Sequence, residues 1–174
     1  MRIDVLWKGL PGHPLHPPLT DATIGAYTAA TVLGLLDVTG LSSKSAAHGW
    51  WLALLVGLAF TVPTALSGLA DWLTLTWRSP LWWTATWHLS VMVSATVFFG
   101  LTAIVGHDDW QRGNIAALPF VLNLVGFGLL TVGGWLGGSI VFVHGMRVLS
   151  LVDEPTERAV SPLPQSEKEL AEKS

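Results

Sequence analysis

The sequence predicts an all-α polytopic membrane protein, a bundle of four transmembrane helices followed by a charged C-terminal tail. Of its 174 residues, 51% are hydrophobic and 12% are charged, whereas a soluble domain has roughly 25% charged residues. The mean hydropathy is +0.52. Four segments reach the ~20 apolar residues that a helix needs to cross a hydrocarbon core. These segments lack the polar stripes that a soluble helical bundle requires.

We divide the chain into an N-terminal His/Pro segment, a transmembrane domain and a disordered tail, at residues 1–16, 17–150 and 151–174. The four spans are predicted at about 17–38, 48–71, 80–106 and 115–150. Pro63 removes a backbone hydrogen bond inside the second span and predicts a kink there. The tail combines prolines with six of the chain's 12 acidic residues, a composition typical of disorder or of a short surface helix.

The tryptophans are numerous and lie near the predicted span ends. The chain has 10 of them, and aromatic residues of this kind are enriched at membrane interfaces. We therefore assign to an interfacial belt the tryptophans at positions Trp50, Trp51, Trp72, Trp77, Trp82, Trp83 and Trp110.

The distribution of Arg and Lys predicts the topology. Four crossings place both termini and the middle loop on one side, and positively charged residues favour the cytoplasmic side. That side carries Arg2, Lys8, Arg78, Arg147 and Arg158. Because the other side carries only Lys44 and Arg112, we expect both termini in the cytoplasm.

The segment Gly12–Asp21 concentrates histidine, proline and a carboxylate at the start of the first span. Proline disfavours the helical conformation in the preceding residue, so we expect His13 and His16 to be extended. Their imidazoles would then share a face roughly 9 Å apart on a polyproline-like path. A proline after His16 suits the first helical position, which puts Asp21 near the positive end of the helix dipole.

Ionisable groups within the spans collect in the cytoplasmic half. With 1.5 Å of rise per residue, His88 and His144 lie at similar depths, roughly 12 Å and 10 Å from that face. Asp21 and Asp71 enter the same leaflet. Such groups are costly in a membrane and usually face the bundle interior.

We therefore interpret His88 and His144 as axial ligands of a b-type haem. The glycine-rich run 133–138 clears one face of the fourth span, which suits a flat cofactor or close helix packing. Arg78 and Arg147, near the interface, are candidates to pair with the propionates.

Three alternatives remain open. In the first, a metal ion without a porphyrin is bound by His13, His16, Asp21 and Asp71. A structural or assembly subunit without a cofactor would use the same groups for interhelical bonds, Asp71 to His88 and Asp21 to His144. An oligomer could instead conduct protons or ions along these polar groups.

Other classes are disfavoured. The chain has no cysteine, which excludes thiolate metal sites and thiol catalysis. Ser67 and Ser139 have no catalytic motif around them, which disfavours nucleophilic hydrolysis. The sequence leaves enzymatic activity open and favours its absence in the chain on its own. Nucleic acid is not an expected partner. We expect five further ionisable residues to be solvated loop residues without a functional role: Asp37, His48, His107, Asp108 and Asp109.

One spacing suggests an internal repeat. The interval from His16 to Asp37 equals that from His88 to Asp109, and Gly34 and Gly106 fall in register. Three matches in two apolar segments are close to what chance gives.

Three motifs together resemble a known family. They are Gly-His-Pro-Leu-His-Pro from Gly12, Ala-Leu-Ser-Gly-Leu-Ala-Asp-Trp from Ala65, and Gly-Trp-Leu-Gly-Gly from Gly134 with Val143-His-Gly. Over roughly residues 10 to 150 the chain resembles the bacterial predicted-membrane-protein family called domain of unknown function 2231. The resemblance implies a four-helix membrane protein without an established biochemical role. Domains of this type also occur fused to redox modules such as Rieske-type iron–sulfur domains, which favours electron transfer.

The combined prediction is a redox-associated subunit of the bacterial cytoplasmic membrane with a haem or metal site in its cytoplasmic-side half. Its expected partners are the lipid bilayer and either redox membrane proteins or further copies of the chain.

Overall fold

Four long helices dominate the fold, as the sequence predicts. A computed structural model describes residues 9–10, 13–42, 44–149, 152–153 and 155–160. Within these ranges four helices are long and apolar enough to cross a membrane, which confirms the all-α, four-span prediction. The spanning helices are α1 His16–Val38, α2 Lys44–Trp72, α3 Pro80–Val105 and α5 Ala117–Gly138, the last continued by a π-helical turn over Ser139–Val143.

Short elements lie outside the spans. They are the antiparallel strands β1 Gly9–Leu10 and β2 His13–Pro14, and the helices α4 His107–Arg112 and α6 Thr156–Ala159. The helix α4 ends at Gly113, whose φ of +70° suits glycine because no Cβ is present to clash. Most of the predicted disordered tail, residues 161–174, lies outside the described residues.

The start of α1 differs from the prediction for one of its two histidines. His13 is extended in β2, but His16 is the first residue of α1, and Leu15 before it already has helical φ and ψ of −77° and −32°. The expectation that His16 is extended is therefore wrong. The prolines after His16 fall in the first turn, where backbone N–H groups have no intrahelical acceptor, so their missing N–H groups cost nothing.

The fourth span ends earlier than the predicted residue 150. After the π-helical turn, the amide of Met146 donates to the carbonyl of Ile140 at 3.2 Å, and Gly145 adopts a φ of +67°. These two features stop the helix. His144 consequently follows the helical segment and does not lie two turns inside it, as the predicted boundary implied.

The spans associate as two pairs. Helix α1 packs mainly on α2, and α3 mainly on α5. The pairs meet through Tyr27 and Phe99, whose rings stack with centroids 3.8 Å apart and planes inclined by 7°. Gly57 of α2 lies against the Tyr27 ring and Gly126 of α5 against the Phe99 ring. Because each pair contributes one ring and one glycine to this contact, the two pairs are built alike.

A buried polar network reinforces the half of the bundle beyond this stack, toward the loops that join α1 to α2 and α3 to α5. The indole Nε1 of Trp50 donates to Oδ1 of Asn123 at 3.1 Å, and Nδ2 of Asn123 donates to Oγ1 of Thr31 at 2.8 Å. Trp50 is fully buried, so its assignment to the interfacial belt is wrong. Trp77 and Trp83 are exposed, as residues of such a belt would be.

Two carboxylates at this end of the bundle are structural. Oδ2 of Asp37 accepts from the amide of Ile115, and Oδ2 of Asp109 accepts from the amide of Ala116, both at 2.8 Å. Asp109 also pairs with Arg112. Both carboxylates are buried, and they hold the segment that leads into α5. The expectation that Asp37 and Asp109 are solvated loop residues is therefore wrong.

Candidate functional site

A cavity of about 460 Å³ lies between the two helix pairs. All four spans line it: the beginnings of α1 and α3 and the ends of α2 and α5. It therefore occupies the half of the bundle where the described chain enters α1 and leaves α5, called the terminal half below. Most of the lining is aliphatic or aromatic, but the imidazoles of His16 and His88 both contribute to it. The lining also contains five threonines and two aspartates, at Thr20, Thr23, Thr61, Thr64, Thr96, Asp21 and Asp71.

His16 is tied to the neighbouring helix α2. Its Nδ1 lies 3.0 Å from the carbonyl oxygen of Thr64 and 3.1 Å from Oγ of Ser67. A carbonyl can only accept, so Nδ1 carries the proton and donates it to Thr64. In the neutral ring, Nε2 then keeps its lone pair. The polar atom recorded next to Nε2 is Oγ1 of Thr20, at 3.5 Å, and that hydroxyl already donates to the carbonyl of His16.

His88 makes the same type of contact with α5. Its Nδ1 donates to the carbonyl oxygen of Gly133 at 2.8 Å, which again leaves the lone pair on Nε2. Among the hydrogen bonds of the described residues, none involves Nε2 of His88.

Glycine makes both contacts possible. In an α-helix the side chain at position i+4 tilts toward the N-terminus and covers the carbonyl of residue i. Gly68 follows Thr64 by four residues, and Gly137 follows Gly133 by four residues. A Cβ at Gly68 would lie 2.7 Å from Cε1 of His16, and one at Gly137 would lie 3.2 Å from Cε1 of His88. Each imidazole therefore reaches its carbonyl because a side chain is missing.

The two arrangements occupy corresponding places in the two helix pairs. Tyr27 follows His16 by eleven residues and Phe99 follows His88 by eleven residues, and these aromatic rings stack on one another. The weak spacing between His16, Asp37, His88 and Asp109 is thus part of a longer correspondence. The same arrangement of an imidazole, the backbone carbonyl that it bonds and a glycine four residues after that carbonyl thus occurs once in each helix pair.

The other predicted haem ligand, His144, lies apart from the cavity lining. Its Nε2 is 3.0 Å from Oγ1 of Thr84. The structure therefore brings His88 to the cavity together with His16, and not with His144. The pairing of His88 with His144 stays a prediction that the geometry does not favour.

The predicted arginines have different surroundings. Arg147 pairs with Asp71, a buried residue that lines the cavity, so one guanidinium lies at the end of the cavity. Arg78 is exposed in the turn between α2 and α3. The alternative bond from Asp71 to His88 is replaced by these contacts, because Asp71 binds Arg147 and His88 binds Gly133.

The residues of the metal-ion alternative are dispersed. His13 is exposed, and Asp21 is an exposed residue at the edge of the cavity. Within the described ranges, no three His, Cys, Asp or Glu side chains come together in a group that could hold a metal ion. The metal alternative therefore stays a prediction without geometric support.

Sequence signals for His16 as a cavity residue were present in two places. The first is the equal spacing after His16 and His88, which extends to Tyr27 and Phe99. The second is the pair of glycines, Gly68 and Gly137, in the motifs that carry the family resemblance. Neither signal states which histidines line the same cavity, because that depends on how the two helix pairs dock.

Comparison with known proteins supports the architecture. The model of the family described as "Predicted membrane protein (DUF2231)" matches residues 12–150. No curated protein matches the chain. No solved structure matches it either. The matched region includes all four spans and the cavity between them, and the chain belongs to the DUF2231 family of predicted membrane proteins.

Proposed function

We propose that this protein is a redox-associated membrane subunit that holds a b-type haem in the cavity between its two helix pairs. The observation that carries the proposal is the presence of two imidazoles in one apolar cavity of about 460 Å³. Ligand pockets commonly measure about 300–1,000 Å³ and combine apolar walls with a few placed polar groups. Imidazole is a common axial ligand of haem iron.

The surroundings of the cavity are compatible with a porphyrin. Its walls contain aliphatic side chains and glycines such as Gly134 and Gly138, which leave room for a flat ring. The guanidinium of Arg147 pairs with Asp71 at the end of the cavity, and its remaining N–H groups are the donors that a propionate would use there. A bound haem supplies one-electron chemistry, while the residues of this chain bind it and exclude water.

The visible absorption spectrum of the detergent-purified protein tests this proposal. We expect a Soret band and a haem-to-chain ratio near one. Elemental analysis of the same sample identifies the main alternative: a stoichiometric metal without a Soret band would support the metal-ion reading. Colourless, metal-free, folded protein would support a structural or assembly subunit and would contradict the haem proposal.

The proposed location is the bacterial cytoplasmic membrane, with both termini in the cytoplasm and with redox membrane proteins or further copies of the chain as partners. The support is the excess of Arg and Lys on the terminal side, including Arg78 and Arg147. Topology reporters fused after residue 151 and within the segments 39–43 and 107–116, which connect the two spans of each helix pair, test the orientation. A periplasmic signal from the C-terminal fusion would reverse the assignment.

A further inference from the structure

We propose that His16 and His88, one from each helix pair, are the two axial ligands of the cavity's haem and bind its iron through Nε2. This inference rests on the proposed function for the presence of the haem. It names a different ligand pair from His88 with His144, and the choice follows from the contacts of the three imidazoles.

The first argument is the protonation state of the rings. Nδ1 of His16 donates to the carbonyl of Thr64 and Nδ1 of His88 donates to the carbonyl of Gly133, at 3.0 Å and 2.8 Å. A histidine that ligates a metal through one nitrogen almost always donates from the other, often to a backbone carbonyl, and this bond fixes the tautomer and the ring orientation. Both rings are therefore prepared to present the lone pair of Nε2.

The second argument concerns what Nε2 contacts. Within the described residues, Nε2 of His16 has only the long 3.5 Å contact with Oγ1 of Thr20, whose hydroxyl donates elsewhere. At His88 no bond to Nε2 is recorded within the part of the chain that the structure describes. In a bilayer, a polar atom without a partner is costly. By contrast, Nε2 of His144 is already bonded to Thr84 at 3.0 Å.

The third argument is the position of the two rings in the fold. His16 belongs to the α1/α2 pair and His88 to the α3/α5 pair, and both line the space between the pairs. Each ring packs against a glycine of its own helix pair, His16 against Gly68 and His88 against Gly137. A flat cofactor between the pairs would be held by one histidine from each, and no single helix pair forms the complete site.

Substitution of the histidines tests the assignment. We expect His16→Ala and His88→Ala each to reduce the haem content of the purified protein at least tenfold, while His144→Ala and His48→Ala retain it. Free imidazole added to either affected variant should restore haem binding, which it would not do if the histidine served only in packing. His16→Met should keep the haem with an altered spectrum and a raised reduction potential, because a thioether can also ligate haem iron.

A glycine substitution tests the orientation of the ring without removing it. A Cβ at Gly68 would meet Cε1 of His16 at 2.7 Å, so Gly68→Ala must displace the imidazole from its carbonyl. We expect a reduced haem content or a changed axial-ligand spectrum. Gly137→Ala, at 3.2 Å from His88, should have a smaller effect. Gly128→Ala is the matched control, because nothing lies within 4 Å of its added Cβ.

The outcomes separate this inference from the proposed function. Haem that persists in His16→Ala but is lost in His144→Ala would overturn the ligand pair and leave the haem proposal intact. A colourless purified protein that takes up added haemin only when both His16 and His88 are present would support the ligand pair and overturn the resident haem. Protein that neither contains nor takes up haem would overturn both.

Discussion

The two halves of the bundle use their polar groups in opposite ways. Beyond the stack of Tyr27 on Phe99, the network of Trp50, Asn123 and Thr31 joins α1, α2 and α5 through bonds between side chains. In the terminal half, the two imidazoles that line the cavity bond to backbone carbonyls. The comparison indicates that a buried side-chain network fills the interface between the helix pairs in one half, whereas part of that interface is a cavity in the other half.

This division follows from the forces available in a membrane. Lipid tails are as apolar as leucine, so helices associate through close packing and interhelical hydrogen bonds. Gly57 and Gly126 allow aromatic rings of α1 and α3 to approach α2 and α5 in the middle of the bundle. Gly68 and Gly137 instead admit imidazoles to the backbone. The same residue type therefore serves packing in one place and ring orientation in the other.

The largest expected effect is at Trp50, in the half of the bundle beyond the aromatic stack. Removing this fully buried side chain by Trp50→Ala leaves a void and deprives Asn123 of its donor. The free energy of unfolding should fall by about 3–5 kcal/mol, the usual cost of truncating a buried aromatic residue. Unfolding in detergent micelles measures this change. Trp77→Ala, at an exposed position, is the control, and an equal loss in both variants would contradict the comparison.

An intermediate effect is expected at Gly57. A Cβ there would lie 2.5 Å from the ring of Tyr27, and that ring is stacked on Phe99 and cannot move aside freely. We expect Gly57→Ala to cost about 1–3 kcal/mol through overpacking. The equivalent Gly126→Ala should cost less, because its Cβ would meet Phe99 at 3.1 Å. Equal unfolding free energies for these two variants and Gly128→Ala would show that the helix pairs are not tightly joined here.

The smallest effect is expected at His144, in the terminal half. His144→Ala removes one hydrogen bond to Thr84, at a partly buried site. A hydrogen bond of this kind contributes about 0.5–1.5 kcal/mol, so the variant should fold with nearly normal stability in the same unfolding assay. A loss as large as that of Trp50→Ala would mean that His144 organises the terminal half.

The sequence predicts the positions of the helices along the chain well, but it predicts poorly which side of each helix faces the interior of the bundle. Span length and composition are sufficient for the four helices, because only a helix or a closed barrel satisfies the backbone in lipid. The direction in which a side chain faces is harder to predict, since these spans are apolar on every side and carry little amphipathic signal. Trp50 was accordingly assigned to the interface, whereas it is a core residue.

The sequence predicts only part of the site, because it gives the depth of a histidine along its helix but not the direction in which the side chain faces. Depth along the chain placed His88 in the terminal half, and the structure puts it in the cavity there. Depth alone also selected His144, because its helix was expected to continue to residue 150, whereas the helical segment ends at Val143. His16 was assigned to the segment before the first span, on the assumption that proline excludes the helical conformation. Its actual position at the first residue of α1 brings it to the cavity.

The most direct test of the account is a titration of detergent-solubilised, haem-free protein with haemin, followed by its absorption spectrum and its unfolding free energy. If the terminal half is a binding cavity, one equivalent per chain should saturate the spectrum and stabilise the fold. At a free concentration of 100 times Kd the stabilisation should be about 2.7 kcal/mol. Absence of saturable uptake, with the unfolding free energy unchanged, would contradict it and leave a cofactor-free bundle whose imidazoles serve helix packing.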